Sequence, residues 1–234
     1  MCAREVRLAC GFFCLHDHRP DSVIPAVIRL GENQLLPNYT PQRKSGDERI
    51  LVDGSVAGPS VLEFWQWAAS DLLNNSLRGH FAEFLVLSAL EISQGVRVEW
   101  DATDVTMPSG VKIEVKSSAY LQAWPQEKES AISFTIRETQ AWSSETKTYS
   151  PEKTRQSHIY IFCLLEHRDK RTVDPLDMGQ WKFYVVRTSD IDKHFSAQKT
   201  ISLAKLMTIP HRECKYGELK VAAYEIAATI AVNK

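Results

Sequence analysis

Neither charge is in excess in this chain: 28 Lys and Arg stand against 29 Asp and Glu, for a formal net charge of -1 over 234 residues. This argues against a protein that coats nucleic acid through a uniformly basic surface, so any nucleic-acid site has to be a local patch on a neutral body. Gly and Pro number only 10 each, which excludes collagen-like and low-complexity classes. The five cysteines are an odd number, a poor basis for a disulfide framework, and they point to a reducing compartment. No apolar run reaches the roughly 18 residues that a membrane helix needs. Arg4 and Arg7 ahead of Leu8–Leu15 resemble the start of a signal peptide. That stretch is short, lacks a small-residue cleavage pattern and runs into His16, Asp17 and His18. The expectation is a cytoplasmic protein with no membrane contact.

Several chemistries lack their strings. No Gly-x-Ser-x-Gly elbow supports a serine hydrolase, and no Gly-x-x-x-x-Gly-Lys-Ser/Thr loop supports a nucleotide motor. Cys10, Cys14, His16 and His18 have a spacing that matches no common closed zinc site, and the two cysteines lie in an apolar stretch that suits buried thiols.

What is present is 44% hydrophobic residues, enough for a real core. Residues 1–58 have weak periodicity, broken by Pro20, Pro25, Pro37 and Pro41, with a polar stretch at 42–49. They read as an irregular N-terminal arm with short strands, one near 22–30, suited to substrate recognition or dimerisation. Residues 59–234 read as the core domain. Ser60 is a candidate N-cap for a helix reaching about Leu73. A second helix is expected over Leu77–Ile92, with Phe81, Phe84, Leu85, Ser88 and Ala89 as its apolar stripe. Strands are expected at Val96–Trp100, Thr103–Met107, Val111–Ser117, Ile132–Ile136, Ile159–Leu165 and Trp181–Arg187. Residues 143–156 read as a mobile loop, and Ser202–Met207 and Glu218–Val232 as helices. The fold class is α/β, with a central mixed sheet flanked by helices.

The chemistry concentrates around a predicted hairpin. Pro108-Ser109-Gly110 forms a three-residue turn between Asp104–Met107 and Val111–Lys116. Val111, Ile113 and Val115 alternate with Lys112, Glu114 and Lys116, so the charged set faces away from the core. A turn centred on Ser109 sets Asp104 across from Glu114, with Cβ atoms about 4.5–5.5 Å apart. Two ionised carboxylates at about 5 Å repel by roughly 3 kcal/mol at an effective dielectric near 20. A divalent cation reverses that sign, and hard carboxylate oxygens with room for water suit Mg²⁺. Lys116, on the same face, can hold an attacking water or offset transition-state charge. The same residues also suit a surface hairpin in which Lys112 and Lys116 simply flank Glu114. Glu83, among apolar residues of the second helix, needs either a metal or a partner such as Arg78, His80 or a nearby Lys. Gly79 costs the helix roughly 1 kcal/mol relative to Ala and leaves room for a close approach.

Glu83, Asp104 and Glu114-Val115-Lys116, in this order and strand context, resemble the motif set of the PD-(D/E)XK nuclease superfamily over about residues 76–190. Gln122 resembles the downstream glutamine of its RecB-like and Holliday-resolvase-like branches. Thr103 stands where the named motif has proline, and Asp101 is a rival for the acid position. The resemblance implies a metal-dependent phosphodiesterase acting on DNA rather than RNA. In that reading Asp104, Glu114 and the Val115 carbonyl hold Mg²⁺ or Mn²⁺. Glu83 holds a second ion or its water, and Lys116 positions the nucleophile. It also implies roles in restriction, phage defence or repair, and a homodimer, because such nucleases often pair to cut both strands. Ser117, Ser118 and Gln122 follow the strand and can contact phosphate, or cap a helix. Trp124, Trp142 and Trp181 are candidates for base stacking, Trp181 being better suited to the core because it alternates with Phe183 and Val185. Lys193, Lys199, Lys205, Arg212, Lys215 and Lys220 form either a basic patch or a solvated face. The alternative function is a catalytically silent nucleic-acid-binding or scaffolding protein that keeps the nuclease fold.

Overall fold

Apolar alternation on both sides of one strand decides where the sheet is buried. The computed structural model describes residues 39–92, 95–99, 103–143 and 148–230. Strand β8 (Ile159–Leu165) is buried at every position. It is the middle of a five-stranded mixed sheet of order β11-β9-β8-β4-β3. Its neighbours are β4 (Lys112–Ala119), parallel to it, and β9 (Trp181–Arg187), antiparallel. Strands β3 (Val105–Thr106) and β11 (Arg212–Cys214) pair antiparallel at the two edges. A strand covered on both faces reads as an unbroken apolar run, and Ile-Tyr-Ile-Phe-Cys-Leu-Leu is one.

One face, carrying Ile113, Val115, Ile161, Cys163 and Phe183, packs on helix α2 (Asn75–Ala89) and helix α5 (Leu219–Ala227). The other, with Tyr160, Phe162, Leu164, Tyr184 and Val186, lies under Ile132, Phe134 and Ile136 around β5 (Ser133–Thr135). Helix α3 (Thr188–Phe195), strand β10 (Thr200–Ser202) and helix α4 (Leu203–Leu206) complete that layer, with β10 paired to β5. The expected α/β class and central mixed sheet are therefore present. Trp181 lies fully in the core. Cys163 and Cys214 are free and buried, and burial pushes the Cys214 thiol up to about 11.

Several element expectations need correction. Helix α1 (Val61–Ala69) starts at Ser60 as expected, with a capping box to Glu63, but ends four residues early. Ahead of it, β1 (Arg49–Val52) and β2 (Ser55–Ser60) form an antiparallel hairpin. The described part of Val96–Trp100 is not a strand. Helix α2 turns its Arg78, Ala82, Leu85 and Val86 inward, while Phe84 and Ser88 are exposed. The small Ala82 lets the helix approach the sheet, and that sets its rotation. The polar stretch 143–156 is largely strand: β7 (Thr148–Thr154) pairs with β6 (Thr139–Ser143) as a separate ribbon. The final helix ends at Ala227. The strand expected near 22–30, the Cys10–His18 cluster, Asp101 and the Trp142 side chain lie outside what is described.

Candidate active site

The β3–β4 hairpin pairs Val105 with Ile113 and Thr106 with Lys112, and the Met107 N–H donates to Val111 O at 2.8 Å. The pairing is centred on Ser109, as the turn chemistry predicts, and Gly110 takes the positive φ of 85° that closes the turn. Extended by one residue, this register sets Asp104 opposite Glu114. Regular pairing stops there. The Val115 N–H, which the next ladder bond would engage, donates instead to Asp104 Oδ2 at 2.7 Å. A strand residue points its N–H and C=O the same way, so the Val115 carbonyl also faces this open edge.

The carboxyl of Asp104 is pushed up to about 6, first by burial and then by the Glu114 carboxylate. Lys116 and the Val115 N–H pull it down, and Glu83 adds a smaller upward push. Asp104 thus feels both other acids. Glu114 has its own partners: Lys116 Nζ donates to Oε1 at 2.5 Å and the Ser157 hydroxyl to Oε2 at 3.3 Å. Beside it on β8, burial and the Glu114 carboxylate push the Tyr160 phenol up.

Glu83 leaves α2 at the margin of the core, with its side chain 14% exposed. Its partner is none of those expected. Arg97, in the irregular segment after α2, grips it with two bonds, Nε to Oε2 at 2.5 Å and Nη2 to Oε1 at 3.0 Å, and also pairs with Glu99. Arg97 is the residue that the sequence reading missed; its only signal is a lone basic residue between Val96 and Val98. A cleft of about 580 Å³ runs past Glu83, Arg97, Glu99, Asp104, Thr106 and Lys112. Among the described residues, no three His, Cys, Asp or Glu side chains stand close enough together to hold a metal ion.

Arg78 faces the sheet rather than Glu83. Its Nε donates to Ser117 Oγ at 3.2 Å, and its other nitrogens donate to Leu73 O and Asn75 Oδ1. Burial pushes this guanidinium down to about 10. Ser117 therefore ties α2 to β4, and Ser118 is buried. Gln122 is also buried: its amide donates to Ala119 O and Ser130 Oγ, and its Oε1 has no donor among the described residues. Gly79 makes no close approach, because a Cβ built there meets nothing within 4 Å among the described residues. Of the six C-terminal basic residues, Lys215 and Lys220 are spent on Glu166 and Glu91.

Asp104, Glu114 and Lys116 thus lie where the ladder opens, and Asp104 shares a cleft with Glu83. The family model of bacteriophage T4 endonuclease IV matches residues 60–205, more than half of the chain. The chain belongs to that family, which makes it a nuclease-type protein, a hydrolase acting on DNA. Glu83, Asp104, Glu114, Lys116 and Gln122 all fall inside the matched segment. No curated protein matches the chain. No described helix is long and apolar enough to cross a membrane.

Proposed function

We propose that this chain is a Mg²⁺- or Mn²⁺-dependent DNA endonuclease of the PD-(D/E)XK type, with Asp104, Glu114 and Lys116 as its cutting centre. The observation that carries the reading is the end of the β3–β4 ladder. There Asp104 takes the Val115 N–H, faces Glu114 and is pushed up to about 6 by burial and by that neighbour. A structural hairpin gains nothing from two carboxylates that repel; a cation site does.

The donor set is hard oxygen, which fits Mg²⁺ or Mn²⁺: the carboxylates of Asp104 and Glu114 and the carbonyl of Val115, with Glu83 lining the same cleft as Asp104. When bound, the ion would supply Lewis-acid neutralisation of the scissile phosphate. The protein's own groups do the rest. Lys116, now on Glu114, carries an ammonium that can turn to a phosphate oxygen or to the attacking water. Ser157 keeps Glu114 oriented through Oε2. Arg78 fixes α2 against β4 through Ser117, which sets the distance from Glu83 to the strand. Ser117 and Gln122 are then bracing residues, and contact with phosphate falls to groups that reach the cleft. A cytoplasmic location, a homodimer and a role in restriction, phage defence or repair belong to the same reading.

A second reading has its own support. Glu83 is fully engaged by Arg97, and no described trio of ligands is assembled. A DNA-binding protein without cleavage would look like this. The test is Mg²⁺- or Mn²⁺-dependent cleavage of plasmid and single-stranded DNA by wild type, Asp104→Ala and Lys116→Ala. Cleavage by wild type alone supports the nuclease. Binding without cleavage by all three supports the second reading.

A further inference from the structure

The loop that leaves β4 toward β5 carries a feature that the cleavage reading does not use. Trp124 sits on it, 50% exposed and outside both core clusters. The loop beneath it is held by hydrogen bonds. Gln126 Oε1 accepts from the Gln122 N–H, and Gln126 Nε2 donates to Tyr120 O and Ser130 Oγ. Gln122 Nε2 adds bonds to Ala119 O and Ser130 Oγ. Two cations from the 166–180 loop pin it from outside. Lys170 Nζ donates to the Trp124 carbonyl, and Arg168 pairs with Glu129 while covering the Tyr120 ring at 3.7 Å. Arg168 occupies the face of Tyr120, so the indole of Trp124 is the open aromatic surface here.

The position follows from β4. Its alternation sets Glu114, Lys116 and Ser118 on one face, and one more step adds Tyr120. Lys116 to Tyr120 is four residues, about 13 Å along the strand. We propose that Trp124 is a base-stacking platform, so that the loop from Tyr120 to Ser130 holds a nucleobase of the DNA strand a few nucleotides from the site. Every base has a π-face, and an indole carried on a loop whose backbone is held offers a large stacking surface with only two side-chain torsions to fix. The nearby exposed ammonium of Lys170, whose partner is a carbonyl and not an acid, favours the backbone of the same strand. The identity of the strand as DNA rests on the nuclease reading; the stacking role does not depend on cleavage.

The test is binding in EDTA, where no cleavage occurs, read by fluorescence anisotropy of a labelled single-stranded DNA of about 12 nucleotides. Trp124→Ala weakens binding by roughly 5- to 150-fold, the range for losing one stacked base. Trp124→Phe keeps most of the affinity. The slope of log affinity against log salt is unchanged, because stacking releases no counterions. Duplex DNA, whose bases are already stacked, binds both proteins alike. Wild-type affinity in Trp124→Ala, an equal loss on duplex, or no binding by the wild type overturns the proposal. A wild type that binds this strand in EDTA but, with Mn²⁺, cleaves neither it nor plasmid DNA refutes the nuclease reading and leaves the stacking result standing.

Discussion

Replacing Asp104 by Asn removes a charge and little else. The Asn Oδ1 can still accept from the Val115 N–H, the bond that now holds Asp104 Oδ2 at 2.7 Å. The native carboxyl sits at about 6 against an ordinary 3.8, with burial the first cause and the Glu114 carboxylate the second. At about 1.4 kcal/mol per pH unit, keeping it ionised in the folded protein costs at most about 3 kcal/mol. Between the two values the folded state binds more protons than the unfolded chain, so stability falls as pH rises through that window. Asp104→Asn is therefore more stable than wild type at pH 8. The gain in Tm is at most about 6–12 °C for a domain of this size. Near pH 4 the difference vanishes. Thermal melts from pH 4 to pH 8, without divalent ions, measure it. Mg²⁺ should then raise the wild-type Tm and leave the variant unmoved. An Asp104→Asn protein no more stable than wild type at pH 8 refutes the picture of a buried carboxylate held against its neighbours.

Three other outcomes follow from single contacts. Gly79→Ala should raise stability by about 1 kcal/mol in urea titrations, because the helix interior gains propensity and the new Cβ meets nothing within 4 Å. Arg155 has a fully buried side chain that donates to Ile136 O, to Asp192 and to the carbonyls of Phe195, Ser196 and Gln198 at the end of α3. Arg155→Ala should cost about 3–5 kcal/mol in the same titrations, and Lys should not rescue it, since one ammonium cannot reach that fan of acceptors. Glu83→Gln should change Tm by less than about 3 °C, since Arg97 is 40% exposed and keeps Glu99. It should nonetheless reduce Mg²⁺-dependent cleavage at least about tenfold, as a carboxylate facing the cleft would.

How much of this was legible in the sequence depended on whether burial or hydrogen bonding built the part in question. The Ser109-centred register was readable because Val111, Ile113 and Val115 can be buried only one way, and Gly110 marks the turn. Strand β8 announced itself by an unbroken apolar run, and β9 by the alternation of Trp181, Phe183 and Val185. The β6–β7 ribbon did not. Thr-Tyr-Ser-Pro-Glu-Lys-Thr buries almost nothing, and Pro151 is tolerated because, among the described residues, the strand has a single neighbour. The rotation of α2 was also hidden. Its stripe follows the small Ala82 and the hydrogen bonds of Arg78 rather than the bulkiest residues, so Phe84 is left exposed. The acids of the site were visible by type and spacing. The partner of Glu83 was not, because Arg97 reaches it from 14 residues away in a segment without periodicity.

If the proposed metal-dependent reading holds, the charges at the site imply an ion that binds weakly until substrate arrives. Glu83 is neutralised by Arg97 and Glu114 by Lys116, so, among the described residues, Asp104 is the one acid of the three without a cation of its own. An incoming Mn²⁺ must displace an ammonium at 2.5 Å from one carboxylate and a two-bonded guanidinium from another. Both cations are better suited to phosphate oxygens, which a DNA strand supplies. Affinity for Mn²⁺ should therefore tighten when the protein holds DNA with a non-hydrolysable linkage, and by linkage the DNA should bind more tightly with the ion present. Lys116→Gln should bring the free protein's Mn²⁺ affinity closer to that of the complex, because it removes the competitor at Glu114. Calorimetric titration of Mn²⁺ into wild type and Lys116→Gln, with and without that DNA, checks all four corners. If Mn²⁺ binds free wild type as tightly as it binds the complex, Lys116 and Arg97 are not competing for the acids, and their ion pairs are structural.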